Sequence, residues 1–251
     1  MPFGNYNQFE SRRLILKKLF ARFGAPQEPP SPPVKAPGPY VASSLNCIYD
    51  LLFCDDPSLF RPKTETQTSD WRSILFNSDP EPIAVRGVAE DQMQESRVRM
   101  LAFNWLRQRQ LGVPKKELLG VIVEIRPQEG LLVLAAYADG RIRYIGRTGK
   151  LVVFESTPAG VADQAAKLLA ASRTAIDHIG PWEGARLPPP PQGNIRMTFL
   201  VSDGLYFGEG PTATMQQDPI GAPVIREARK LEESVIDAVR EGQHMKNVPQ
   251  S

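Results

Sequence analysis

Between Glu117 and Ser156, four short apolar runs follow one another with only tight-turn residues between them: LLGVIVEIRP, LLVLAAYADG, RIRYIGRTG and KLVVFES. No other feature of the chain narrows its fold so far. Val, Ile, Leu and Tyr favour strands, and connections this short cannot hold a parallel crossover. The four strands must form an antiparallel meander. Gln128-Glu129-Gly130, Asp139-Gly140 and Thr148-Gly149 mark its turns, the second with the dipeptide of a type I′ hairpin. The alternation through Arg141, Ile142, Arg143, Tyr144 and Ile145 predicts one packed face and one wet face.

Helical patterns flank the meander. In SSLNCIYDLLFCDD, Ser43 or Ser44 is the expected N-cap, and Leu45, Ile48, Tyr49 and Leu52 share one side. A short helix follows Ser69 or Asp70 and carries Trp71, Ile74, Leu75 and Phe76. The next is expected over about 88–111, with Val98, Leu101, Ala102, Trp105 and Leu106 on its apolar face. Its Arg97, Arg99, Arg107 and Arg109 are expected on a solvated face. Beyond the meander come a helix near 158–179, two strands around Asp203-Gly204, and a helix near 221–241. Val224, Ala228, Leu231, Val235 and Ala238 give that last helix a seam, expected to pack on the sheet or to form a homodimer. Strands grouped together with helices between the groups mean an α+β fold.

The N-terminal region differs. Arg12, Arg13, Lys17, Lys18 and Arg22 stand against Glu10 alone, so this arm carries +4. The whole chain carries +2, which leaves −2 on the rest. On a helical wheel Phe9, Ile15, Leu16, Leu19, Phe20 and Phe23 fall in one arc, with most of the cations outside it. This predicts a basic amphipathic helix, suited to a protein partner, an anionic membrane surface, packing back on its own body, or a mitochondrial-type targeting segment. Arg12, Arg13, Lys17, Lys18, Phe20 and Phe23 would make that contact. Seven prolines in residues 25–39 predict a polyproline II spacer behind it. The organisation expected is a basic helix (1–24), a linker (25–42), a helical subdomain (43–113), an α+β domain (114–242) and a flexible tail (243–251).

Chemistry is sparse. Cys47 and Cys54 are expected as buried, reduced thiols, and their spacing misses a zinc clip. His178 and His244 are the only histidines, too few for a metal cage. Phosphate-binding loops, dinucleotide-binding glycine patterns and nucleophile elbows are absent, so no catalytic residue, metal or cofactor is assigned. VSDGLYFGEG is the most specific-looking stretch. Its Asp203, Tyr206 and Glu209, with Arg143 from the meander, are the candidate ligand-binding residues. The competing and preferred reading of that stretch is a Gly-rich hairpin. Arg186 to Pro191 resembles a ligand for aromatic polyproline-binding grooves, although a stiff loop is the preferred reading there too.

LNCIYDLLFCDD, LLVLAAYADGRIRYI and FLVSDGLYFGEG resemble a set of proteobacterial proteins, and that resemblance implies no activity. The element order is similar to profilin-like folds of the roadblock and longin sort, which implies a regulatory or scaffolding role. The expectation is a cytoplasmic, non-enzymatic binding or assembly protein. Its arm would tether it to a protein partner or, peripherally, to a membrane; the near-neutral total charge argues against nucleic acid. The alternative is an enzyme or small-ligand binder at Ser202–Gly210.

Overall fold

Both faces of the sheet are covered, which corrects the expectation of one wet face. The computed structural model describes residues 38–61, 70–154 and 157–246. The arm helix, most of the linker and the end of the tail lie outside the described residues. The sheet contains β1 (Leu118–Ile125), β2 (Leu132–Tyr137), β3 (Ile142–Ile145), β4 (Leu151–Val153), β5 (Asn194–Val201) and β6 (Gly204–Pro211). Their order is β4-β3-β2-β1-β5-β6, and every neighbouring pair is antiparallel. β1, β2 and β5 are buried along nearly their whole length. Strands covered on both sides read as continuous apolar runs, as LLGVIVEI does. The alternation at 141–145 belongs to the short strand next to the β4 edge.

Seven α-helices are described: α1 (Ser43–Leu51), α2 (Asp70–Leu75), α3 (Pro82–Glu90), α4 (Ser96–Gln108), α5 (Ala159–Asp177), α6 (Thr212–Met215) and α7 (Gly221–Lys246). The fold is therefore α+β. α5 and α7 cover one face, where Leu168, Ile176, Val224, Leu231 and Val235 join Val121, Leu134 and Phe199. Leu231 lies fully inside this core, so the seam of α7 is spent within the chain. On the other face Tyr49, Phe53, Val85, Phe103 and Leu106 join Leu119, Ile122, Val133 and Leu200. The helical region and the sheet thus share one apolar cluster.

Several local expectations change. α1 begins after Ala42, and no side chain caps it. The helix expected over 88–111 is two helices, because Asp91 accepts from the Met93 amide and turns the chain. α4 is capped from outside its own segment: Asp139, in the β2–β3 turn, accepts from the Ser96 amide at 2.7 Å, and Ser96 Oγ accepts from the Asp139 amide. That turn is not type I′, since Gly140 has φ +83° while Asp139 is not left-handed. The Gly140 amide donates to Tyr137 O, the pattern of a type I turn followed by a left-handed glycine. Arg99 is buried, not solvated, and donates to Ala89 O and Gln92 while pairing with Glu117. Arg107 donates to Ser202 O. These arginines satisfy backbone carbonyls between elements, a role that apolar periodicity does not encode. Cys54 is buried at φ +56°, outside α1, but Cys47 is exposed; both are free. Burial pushes the Cys54 thiol well above its ordinary range.

Candidate functional site

Residues 181–193 join α5 to β5 and form a strap over the β5–β6 end of the sheet, on the face that α1 also covers. Beneath it runs a ladder of charge. Glu124 on β1 stands opposite Arg196 on β5, and Arg196 stands opposite Glu209 on β6. Glu124 is fully buried and Arg196 nearly so. Arg196 Nε donates to Glu209 Oε2 at 2.7 Å, and a second guanidinium nitrogen contacts the same oxygen. Its third nitrogen donates to Leu187 O in the strap and lies 3.8 Å from Glu124 Oε2, too far for a hydrogen bond. Tyr49 of α1 donates to Glu124 Oε1 at 2.6 Å.

The strap is fastened at intervals. The Trp182 amide donates to Leu205 O on β6, and the Trp182 ring meets Phe207 edge-on, with ring centres 5.2 Å apart. Arg186 donates to Asp55 at 2.6 Å and Asp50 at 2.9 Å, and its guanidinium lies 4.1 Å from the Phe53 ring centre. Gln192 donates to Gln128 O in the β1–β2 turn. Burial works against the Arg186 charge, but Asp55 and Asp50 outweigh it and hold the guanidinium charged more firmly than usual. With Arg186 so committed, the 186–191 segment is a fastened loop in this structure.

Burial raises the Glu124 carboxyl above its ordinary range, helped by Glu209, while Tyr49, Arg196 and Arg186 pull it back. The folded state therefore holds this proton more tightly than the unfolded chain does. The stability drawn from it is present below the ordinary glutamate range and fades as pH climbs through the raised folded value. Glu124→Gln keeps the shape without the charge. Its stability relative to the parent chain should rise as pH goes from about 4 to about 8, measured by urea unfolding at each pH. A difference that stays flat would show that Glu124 titrates alike in both states.

The residues singled out in the sequence do not converge. Tyr206 points to the α5–α7 face and donates to Asp203 at 3.2 Å. Burial and that carboxylate push its phenol up to about 12. Glu209 points to the opposite face, since positions three apart on a strand cannot share one. Arg143 donates to its neighbour Ile142 O on β3, four strand positions from β6, or about 19 Å at roughly 4.8 Å per strand. Arg12, Arg13, Lys17, Lys18, Phe20 and Phe23 lie outside the described residues. Sequence reasoning missed Glu124 and Arg196, and it named Arg186 only as the start of a proline-rich segment. A signal existed for the first two: each is the lone charge in its strand, LLGVIVEI and NIRMTFLV.

Among the described residues there is no cluster of three or more His, Cys, Asp or Glu that could hold a metal, and no helix long and apolar enough to cross a membrane. Comparisons with protein-family models, curated proteins and solved structures return no match. The likeness to profilin-like folds rests on element order alone.

Proposed function

We propose that this chain is a cytoplasmic, non-enzymatic binding and assembly protein that meets a protein partner through the Trp182 end of the strap and the neighbouring edge strand β6. The basic arm is its second attachment. The observation that carries this reading is Trp182. It is fastened through its backbone to Leu205 and through its ring to Phe207, yet 39% of its surface is exposed. A large aromatic side chain held in place loses little freedom on binding, and such residues dominate interface energies. The charged groups nearby support binding over catalysis, because they are engaged in fastening the strap. That Tyr206 and Glu209 face apart favours this reading over a ligand site at Ser202–Gly210.

Quantitative affinity purification from the native host tests the proposal, using the full chain, Trp182→Ala, and a variant with Arg12, Arg13, Lys17 and Lys18 changed to Glu. Trp182→Ala should lower recovery of a specific partner about tenfold or more. Unchanged recovery with both variants would overturn the reading. Loss of flotation with anionic vesicles in the arm variant alone would assign the arm to membranes.

A further inference from the structure

We propose that Asp50, Asp55, Tyr49 and Phe53 form a seat for an arginine on an extended, proline-rich segment of a partner protein, and that Arg186 is the ligand occupying it within the chain. This rests on the binding reading above and deepens it by naming the partner's chemistry. Two carboxylates receive the guanidinium at 2.6 and 2.9 Å, and the centres of two rings lie 4.1 and 5.5 Å from it. That combination of fork and ring faces suits arginine and not lysine. Tyr49, Asp50, Phe53 and Asp55 come from α1 and the residues just after it, so the body of the chain supplies every group of the seat.

The occupant, by contrast, is a segment without helix or strand, running Arg-Leu into four prolines. It can leave without unfolding an element, while Trp182 stays fastened separately to β6. Charge favours a replacement. Asp50 and Asp55 both pair with Arg186, so its departure opens the place of one guanidinium beside two carboxylates. A tethered ligand competes at roughly millimolar effective concentration, so the seat in the parent chain is masked.

The test uses a fluorescein-labelled peptide, GARLPPPPQ, and fluorescence anisotropy with the full chain. Arg186→Ala should bind it saturably, about tenfold or more tightly than the parent chain does. A peptide with Lys in place of Arg should bind more weakly, and adding Asp50→Asn and Asp55→Asn should abolish binding. Absence of saturable binding to folded Arg186→Ala overturns the proposal. Should that variant not fold, hydrogen exchange on the parent chain decides: excess peptide should speed exchange in residues 183–187, and an unchanged profile overturns the proposal. A negative result here, with Trp182→Ala still losing its partner, would remove the seat and leave the binding reading intact.

Discussion

Replacing Arg196 by Leu should remove about 3–5 kcal/mol of stability, the usual cost of leaving a buried charged group without its partner. Arg196 is the centre of the ladder, reaching Glu209, Glu124 and the strap carbonyl of Leu187. Urea unfolding measures the loss. Arg196→Lys should restore little, because one ammonium cannot span acceptors in three directions. Adding Glu124→Gln to Arg196→Leu should return part of the loss, since it removes a buried carboxylate that has lost its cation. A loss below about 1 kcal/mol would place the ladder with surface ion pairs and contradict its burial.

Phe103→Ala should cost about 3–5 kcal/mol, the range for emptying a buried aromatic site. Phe103 is fully buried in the cluster that α1, α3 and α4 share with the sheet. The variant should still unfold in one transition, with far-UV circular dichroism and tryptophan fluorescence coinciding. Two of the three tryptophans, Trp71 and Trp105, report on the helical region. A fluorescence change preceding the loss of ellipticity would therefore show that residues 43–113 unfold as a separate unit.

The strands were legible because their signals are local. Short apolar runs rich in β-branched residues, separated by turn glycines, locate β1 to β4 without knowledge of their neighbours. The burial of both faces was written in LLGVIVEI, but the edge-proximal alternation at 141–145 pointed the other way. The split between α3 and α4 was hidden because no proline or glycine interrupts 88–111, and the break is made by Asp91, whose side chain turns the backbone. Arg99 was misplaced for a different reason: its acceptors, Ala89 O, Gln92 and Glu117, come together only after α3, α4 and the start of β1 pack.

The candidate site divides the same way. That Tyr206 and Glu209 face apart follows from strand geometry and was available from their spacing. Glu124 and Arg196 were visible as the lone charges in their strands. Their pairing was not, because it requires β1 and β5 to be neighbours, and a whole meander and helix separate them in the chain. The contact of Arg186 with its seat likewise joins the α1 region to a distant strap. Sequence alone determined the strands, most of the helices and the α+β class, because periodicity and turn chemistry act over a few residues. Tertiary structure alone decided which charges meet, because the low-dielectric contacts that pair them form only when distant segments pack together.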